Sequence, residues 1–300
     1  MLSKKQINDL KKIVHGNLET DVSLKNHTSF QIGGKAKVIL FPTEINEIIE
    51  SIAYLNKYKI KYYVFGLGTN MLVSDNNIDY VIIKLGRNFN HITVDENKII
   101  AYSGASINAV CMNALNNNLT GLEDAFGIPG TIGGAVIMNA SAYSFETKNV
   151  VRQVVALIGN KIEIIKDFDF KYRYSKFQEM ENVVILQVEI ELNGGVYEEI
   201  KTRMNEVLNL RKTNQPLNYP SAGSVFKRKN DLIVSLEIEK LGLKGFKVGG
   251  AQISEKHAGF IVNCGNAKCE DVLNLVELIK QKFKEKHNVE LDLEIKYLGE

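Results

Sequence analysis

The strongest constraint on this chain is a glycine-rich stretch, Gly127–Tyr143, with the sequence G-I-P-G-T-I-G-G-A-V-I-M-N-A-S-A-Y. Glycine adopts positive φ and lets a ligand approach the backbone, and successive N–H groups in such a loop form a nest for an anion. The spacing differs from the dinucleotide motif G-x-G-x-x-G and from the phosphate motif G-x-x-x-x-G-K-[ST]. A tight turn between strands is the alternative, but four glycines with Pro129 favour a loop that contacts a diphosphate.

A second glycine loop, Gly66-Leu-Gly-Thr-Asn70, directly follows a predicted strand at 62–65. The carboxyl end of a strand is the usual ligand position in an open α/β sheet. A simple β-turn with Gly and Asn at positive φ is the alternative. The presence of two such loops favours one ligand that contacts both.

Composition excludes several classes of partner and cofactor. The 300 residues allow two or three domains, and a net charge of +2 gives no reason to expect a nucleic acid or an anionic membrane as partner. Three cysteines without a C-x-x-C pair and five scattered histidines predict no metal site. The polar N-terminus and the absence of a long apolar run predict a cytoplasmic protein.

Hydrophobic periodicity predicts an α+β chain. Helices are predicted at 3–14, 196–213, about 231–241 and 268–287, with Asp231 as the cap of the third. Two more are predicted: one is capped by Thr43 and contains Ile45–Leu55, and the other contains Ile107–Leu115 with Cys111 in its apolar face. The predicted strands are 36–41, 62–65, 71–74, 80–84, 91–94, 97–102, a mostly strand-like region from Val136 with 150–158, 161–165 and 183–192, and then 223–226, 251–253, 259–263 and 289–297. Strand 183–192 alternates, which predicts Val184, Leu186, Val188 and Ile190 on one face.

Three further segments carry groups suited to binding or catalysis. Lys171–Phe177 is strand-like and places Arg173 and Ser175 on one face, where a guanidinium suits a carboxylate or phosphate; a solvated surface strand is equally consistent. In Pro220–Arg228 two serines flank a turn, and a structural turn is the default interpretation. In 289–297 the acidic residues form a face that is either solvated or directs one carboxylate into a cleft. His257 is expected to be a structural hydrogen-bonding residue.

These segments occur in an order that resembles the UDP-N-acetylenolpyruvoylglucosamine reductase family. The matching motifs are N-H-T-S-F-Q-I-G-G at 26–34, F-G-L-G-T-N at 65–70, G-I-P-G-T-I-G-G-A-V-I-M-N-A at 127–140, Y-R-Y-S at 172–175, P-S-A-G-S-V-F-K-R at 220–228 and G-G-A-Q-I-S-E-K-H-A-G-F-I-V-N at 249–263. The resemblance implies FAD as cofactor, NADPH as hydride donor and a UDP-sugar enolpyruvyl ether as substrate, in peptidoglycan precursor synthesis. The length is similar to the shorter family form.

The resemblance also implies a fold of the vanillyl-alcohol-oxidase or PCMH type, with two α+β FAD-binding subdomains and a C-terminal α+β substrate domain. The expected divisions are 1–85, with the last residues of the chain returning to it, 86–195, and 196–300. The expected partners are small molecules alone, and the chain is expected to be a monomer.

Family roles transfer to this sequence by motif position. The implied catalytic residues are Arg173 on the enolpyruvyl carboxylate, Ser224 as proton donor and Glu294 as the acidic partner of the developing enol. The implied FAD contacts are Phe65, Gly66, Gly68, Thr69, Asn70, Met71, Gly104, Ala105, Gly127, Pro129, Gly130, Thr131, Gly134 and Asn139. The implied substrate contacts are Tyr172, Arg211, Gln215, Lys227, Gln252 and His257. Two departures are Thr69, where a serine is common, and Ser141, where a glycine is usual.

Two other functions stay open on sequence alone. A different flavin oxidase on the same scaffold is one, although no evident histidine or cysteine is placed for covalent flavin attachment. A non-catalytic nucleotide-sugar-binding protein that kept the loops is the other.

Overall fold

The computed structural model describes residues 2–229 and 232–299, which form two compact units. Unit 1 contains residues 2–20, Val38–Leu67 and Asp79–Leu210, and unit 2 contains Asp21–Lys37, Gly68–Ile78 and the described residues from Arg211 onward. The divisions at 85 and 195 stay predictions, and the predicted cap Asp231 lies outside the described residues. Over the described ranges, no helix has the length and apolar character needed to span a bilayer.

Helices occur throughout both units. The α-helices of the described residues are α1 (Lys4–Ile13), α2 (Ile45–Lys57), α3 (Ile107–Asn116), α4 (Ile132–Met138), α5 (Thr147–Val150), α6 (Tyr197–Asn214), α7 (Val234–Lys240) and α8 (Cys269–His287). Short 3-10 helices cover Leu24–His27, Glu123–Ala125 and Lys176–Gln178.

The strands are short and many connect locally. They are β1 (Leu18–Ser23), β2 (Lys35–Leu40), β3 (Tyr62–Phe65), β4 (Met71–Val73), β5 (Ile78–Lys84), β6 (Ile92–Asp95), β7 (Lys98–Tyr102), β8 (Leu119–Thr120), β9 (Ser141–Ala142), β10 (Phe145–Glu146), β11 (Val151–Ile158), β12 (Lys161–Ile165), β13 (Val183–Glu191), β14 (Asn193–Gly194), β15 (Ser221–Ser224), β16 (Lys247–Val248), β17 (Ala251–Ile253), β18 (Phe260–Asn263) and β19 (Lys296–Leu298).

Unit 1 is built on two larger sheets. One is an antiparallel sheet in the order β12-β11-β13-β7-β6, and the other has the order β1-β2-β5-β3 with β3 and β5 parallel. Helices α3 and α4 pack in a core with β7, β11 and β13, and helices α1 and α2 pack in a second core. The smaller pairs β8–β14 and β9–β10 complete the strands of this unit.

Strand β13 contributes to both cores of unit 1 because its register shifts. Val155 pairs with Gln187 but Ala156 pairs with Ile185, so the partner strand skips one residue of β13. A bulge of this kind reverses the faces of the residues that follow. Leu186 therefore lies in the core with α1 and α2, while Val188 lies in the core with α3 and α4. The prediction of one apolar face along this strand was wrong at this point.

Unit 2 has one core around the long helix α8. Its antiparallel sheet has the order β15-β18-β17-β16, and β4 pairs in parallel with β19. Phe283 and Ile279 of α8 are fully or almost fully buried in that core. The predicted strand 289–297 was wrong for most of its length, since β19 begins at Lys296 and the preceding residues make an isolated bridge between Leu293 and Phe226.

The start of α2 is organised by a buried carboxylate. Glu47 is 4% exposed, and its two oxygens accept from the Thr43 amide at 2.6 Å and contact His15 Nδ1 at 2.7 Å. Thr43 was predicted as the helix cap, but Glu44 occupies that position. Burial alone would raise the pKa of Glu47, yet the hydrogen bonds from Thr43 and His15 hold it below its ordinary value.

This lowered pKa predicts an acid-dependent contribution to stability. A group with a lowered folded pKa stabilises the protein above its unfolded pKa and loses that effect as pH falls through the folded pKa. We expect Glu47→Gln to lower the free energy of unfolding by about 1–3 kcal/mol at pH 7 and by much less in acid. Urea unfolding at several pH values measures this, with the exposed Glu50→Gln on the same helix as control. An equal loss at every pH would contradict the assignment.

Candidate active site

Helix α4 occupies the segment after the glycine-rich loop, which the sequence analysis placed at the start of a mostly strand-like region. Thr131 is its N-cap, and the Thr131 hydroxyl accepts from the Gly134 amide at 3.2 Å. The Ile132 amide donates to Ala105 O at 2.8 Å and the Gly133 amide to Ser103 O at 2.9 Å. The strand prediction was wrong here because these long-range bonds stabilise a helix whose first turn contains two glycines.

These bonds restrict where an anion can meet the loop. The Gly127 amide donates to Asn108 Oδ1 at 2.7 Å and the Ile128 amide to Ala125 O at 3.0 Å. Together with the amides that begin α4, they are engaged within unit 1. Within the loop, the predicted anion-binding nest is therefore limited to the backbone of Gly130 and Thr131.

The two glycine loops approach each other closely. A Cβ placed on Gly66 would lie 2.9 Å from Thr131 Oγ1. One placed on Gly104 would lie 2.8 Å from the amide nitrogen of Gly86 and closer still to Phe89 O. Because a side chain at either position would enter space occupied by protein atoms, glycine allows the Gly66 loop to pack on Thr131 and the Gly104 segment to pack on Gly86 and Phe89. We call this group of closely packed backbones the glycine cradle. The expectation that both loops contact one ligand stays a prediction.

A half-buried lysine lies beside this cradle and was missed by the sequence analysis. Lys84 ends β5, donates from Nζ to Gly66 O at 3.0 Å and lies 5.1 Å from the centre of the Phe65 ring. Burial lowers the pKa of Lys84 to about 8. The sequence signal that could have identified this residue is a lysine at the end of the apolar run of β5.

The C-terminal end of α4 is hydrogen-bonded to the segment that contains Arg173. Asn139 caps the helix with φ +42°, and its Nδ2 donates to Lys171 O at 3.0 Å and to Glu146 Oε1 at 2.8 Å. Ser175 Oγ donates to Ile137 O at 2.8 Å. Asn139 was expected to contact FAD, and its side-chain amide is engaged in these bonds.

Arg173 occupies a tight turn rather than a strand. Lys171 and Tyr174 exchange two backbone hydrogen bonds of 3.1 Å across the turn, and Arg173 has φ +53°. Its guanidinium donates from Nη1 to Ser141 Oγ at 2.6 Å and stacks 5.2 Å from the centre of the Tyr172 ring. The predicted strand with Arg173 and Ser175 on one face was therefore wrong.

An ion pair of Asp124 fixes the segment just before the glycine-rich loop. Arg203 Nε donates to Asp124 Oδ1 at 2.7 Å, and the amide and hydroxyl of Ser144 donate to Asp124 Oδ2. Burial would raise the pKa of Asp124, but Arg203 and Ser144 hold it below the ordinary range. These groups line a cavity of about 260 Å³ in unit 1. The sequence analysis did not identify this cluster, because its three members lie far apart in sequence.

In unit 2 a backbone hydrogen bond joins Glu294 to Val225, the residue that follows Ser224 at the end of β15. The Glu294 amide donates to Val225 O at 2.8 Å, and Glu294 O accepts from Asn70 Nδ2 at 3.1 Å. The Lys227 amide donates to Asp292 O at 2.9 Å. Burial, and then the charge of Lys227, lowers the pKa of Lys296, a cation near this group that was not predicted as a site residue.

The remaining predicted substrate contacts of unit 2 have internal partners. Gln252 Nε2 donates to Gly245 O at 3.0 Å, and Gln252 Oε1 accepts from Cys264 Sγ at 3.2 Å. His257 accepts from the Gly259 amide at 3.2 Å, and burial lowers its pKa. Arg211 is buried, and its carbonyl accepts from the Gln215 amide at 2.9 Å.

The other predicted cofactor contacts lie in or beside the two glycine loops. Phe65 ends β3, Met71 begins β4, and Gly68 O accepts from the Ser29 amide at 3.1 Å. Thr69 lies between them, and Pro129 is exposed in the glycine-rich loop. No group of three or more His, Cys, Asp or Glu side chains suited to a metal occurs in residues 2–229 and 232–299.

Comparison with known proteins decides the family. A model of an FAD binding domain matches residues 36–159, and a model of the UDP-N-acetylenolpyruvoylglucosamine reductase C-terminal domain matches residues 215–298. The UDP-N-acetylenolpyruvoylglucosamine reductase of Caldanaerobacter subterraneus is 48% identical over 98% of each chain. This chain belongs to the UDP-N-acetylenolpyruvoylglucosamine reductase family.

Solved structures agree with the family and the fold. The crystal structure of UDP-N-acetylenolpyruvylglucosamine reductase from Thermus caldophilus has a TM-score of 0.80 and 31% identity, over 93% of this chain and 98% of that one. An alkyldihydroxyacetonephosphate synthase has a TM-score of 0.51 and 13% identity over 65% of this chain and 41% of that one, which shows the fold alone. The predicted FAD-binding fold with a C-terminal α+β domain is confirmed.

The cradle fits the FAD that this family uses. Its close approaches are made by backbone at glycine positions inside the range matched by the FAD-binding model, and Lys84 adds a positive charge beside it. The residues present are therefore suited to a diphosphate-containing cofactor.

The cradle generates a stability prediction. Gly104→Ala places a Cβ against backbone atoms of Phe89 and Gly86, which cannot rotate away. We expect the free energy of unfolding, measured in urea with saturating FAD, to fall by about 1–3 kcal/mol. The control Gly86→Ala meets only Leu67 Cδ2 at 3.5 Å, an ordinary contact. Equal effects of the two variants would show that the Gly104 approach is unimportant.

Proposed function

We propose that this chain reduces the enolpyruvyl group of UDP-N-acetylglucosamine enolpyruvate to UDP-N-acetylmuramate, with FAD bound and NADPH as hydride donor. The observation that carries the proposal is 48% identity, over 98% of each chain, to a curated reductase of that name. The glycine cradle in the FAD-binding region supports it. The chain would act in peptidoglycan precursor synthesis, in the cytoplasm and as a monomer.

The cradle residues would hold the cofactor. Gly66, Gly104, Gly130 and Thr131 supply backbone that a diphosphate can approach, and Lys84 supplies a cation. When bound, FAD would supply a hydride carrier between NADPH and the β-carbon of the substrate's double bond. The protein's own task is to bind, orient and balance charge.

Arg173 would bind the substrate carboxylate. Addition of hydride to the β-carbon leaves negative charge on the α-carbon, and this charge spreads into the carboxylate. A guanidinium offers a planar fork of N–H donors that matches a carboxylate. Its bond to Ser141 and its stacking on Tyr172 hold it in one place before the charge develops. Loss of one such preorganised donor raises a barrier by about 3–4 kcal/mol.

Ser224 would donate the proton to the α-carbon. The carbanion is a strong base, so a weakly acidic hydroxyl suffices if it is well positioned. The bond from the Glu294 amide to Val225 O, next to Ser224 in the chain, supports a shared role for the two residues. Glu294 would hydrogen-bond the aci-carboxylate or orient the guanidinium of Arg173. The proposed substrate contacts are Tyr172 in unit 1 and, in unit 2, Arg211, Gln215, Lys227, Gln252 and His257.

An anaerobic titration tests the function. The purified protein should be yellow, NADPH should bleach it, and the enolpyruvyl UDP-sugar should restore the colour with formation of UDP-N-acetylmuramate. A colourless protein that binds the UDP-sugar would indicate a binding protein. Bleaching without recovery on adding this substrate would indicate a different flavin enzyme.

Ser224→Ala separates the two half-reactions. We expect flavin reduction by NADPH to proceed at the wild-type rate, because Ser224 acts only on the substrate. Reoxidation by the enolpyruvyl substrate should slow by about 100-fold or more, the usual scale for loss of a positioned proton donor. Stopped-flow absorbance of the flavin measures both rates.

Ser224→Cys serves as the matched control, because a thiol can also donate a proton. It should retain more of the second half-reaction than Ser224→Ala. Equal slowing of both half-reactions by Ser224→Ala would contradict the assigned role.

A further inference from the structure

The guanidinium of Arg173 is held by a residue that neither the motif comparison nor the sequence analysis assigned to the site. Nη1 of Arg173 lies 2.6 Å from Ser141 Oγ and 3.5 Å from Ser141 O. A hydrogen bond of this length from a charged donor is a strong one. The Ser141 hydroxyl thus gives the guanidinium an acceptor in the neighbouring hairpin.

Ser141 is itself a fixed acceptor. It lies in β9, where it pairs with Glu146 of β10. Two residues earlier, Asn139 binds both Glu146 and Lys171 O, so the hairpin and the arginine turn are joined. The backbone of Ser141 is therefore held close to the backbone of the arginine turn.

The arginine backbone is also held. The Lys171–Tyr174 bonds close the turn, and Gln178 Nε2 donates to Arg173 O at 3.0 Å. Arg173 keeps φ +53°, a conformation that a non-glycine residue retains when its surroundings determine it. With the backbone fixed, the remaining freedom is in the long side chain, and the bond to Ser141 restricts that freedom.

We propose that Ser141 is a positioning residue that sets the guanidinium of Arg173 for the substrate carboxylate. The inference rests on the proposed function. A guanidinium has five N–H donors in a planar fork, so a single arginine can bind a serine hydroxyl and a carboxylate together. An acceptor on Nη1 fixes the plane in which those donors point. Ser141 thus contributes to recognition of the acidic group of the enolpyruvyl substrate.

Ser141→Ala tests the proposal kinetically, with Ser141→Thr as the variant that restores a hydroxyl. We expect KM for the enolpyruvyl substrate to rise about tenfold in Ser141→Ala, the scale for loss of a hydrogen bond to a charged group. The rate of flavin reduction by NADPH should stay within about twofold of wild type, since a lost contact to the other substrate leaves that step alone. Ser141→Thr should restore most of the substrate affinity.

Ser144→Ala is the matched control. Ser144 lies in the same hairpin, but its hydroxyl donates to Asp124 rather than to Arg173. It should leave KM for the enolpyruvyl substrate unchanged. A rise in KM equal to that of Ser141→Ala would mean that the hairpin merely loosens, and would overturn the proposal. So would an unchanged KM in Ser141→Ala.

A spectroscopic measurement decides the inference even if the proposed reaction is absent. The chain has six arginines, so ¹⁵N-arginine labelling gives a simple spectrum, and Arg173→Lys assigns the signal of interest. We expect slow rotation and resolved Nη resonances for Arg173 in the wild type and in Ser141→Thr, and averaging in Ser141→Ala. No change in Ser141→Ala would overturn the inference. Failure of the wild type to reduce the substrate would instead overturn the proposed function.

Discussion

The capping of helix α4 at both ends is the constraint on which unit 1 most depends. Its N-terminal amides bind carbonyls of the Ser103–Ala105 segment, and its C-cap Asn139 binds the carbonyl of Lys171. A helix of seven residues is roughly 10 Å long, at 1.5 Å per residue. The cofactor cradle and the arginine turn are therefore held a fixed distance apart by one rigid element.

Buried charge supports the same arrangement. Asp124 precedes the glycine-rich loop and pairs with Arg203 of α6, while Ser144 of the hairpin after α4 donates to the same carboxylate. Removal of Arg203 would leave the buried Asp124 carboxylate without its ion partner, which is costly. The Asp124 carboxylate thus connects the loop before α4 with the hairpin after it, in addition to the bonds at the two ends of the helix. Unit 2 supplies its own group, in which the Glu294 amide binds the carbonyl next to Ser224.

Regular strands could be predicted from sequence because their side chains alternate. The predicted ranges 62–65, 161–165 and 251–253 coincide with β3, β12 and β17. The alternation at 289–295 was misleading, since buried Leu291 and Ile295 belong to an irregular segment that packs on the core of unit 2. The bulge in β13 adds one residue to one strand, and a single strand's pattern contains no sign of its partner.

The site shows the same division between local pattern and long-range contact. The glycine loops were found because close backbone approach requires glycine, and Gly66 and Gly104 have no room for a Cβ. Helix α4 was missed because two glycines in its first turn lower helix propensity, and its stability comes from bonds to distant residues. Ser141, Asp124 and Lys84 were missed for a related reason, since their partners lie 18 to 79 positions away.

A crystal structure of the FAD-bound protein with the enolpyruvyl substrate is the most direct measurement. If α4 fixes cradle and arginine together, the diphosphate of FAD will lie against Gly66 and the Gly130–Thr131 backbone. Arg173 will bind the substrate carboxylate while keeping its bond to Ser141. A cofactor bound elsewhere, or an Arg173 side chain directed away from the carboxylate, would contradict this arrangement.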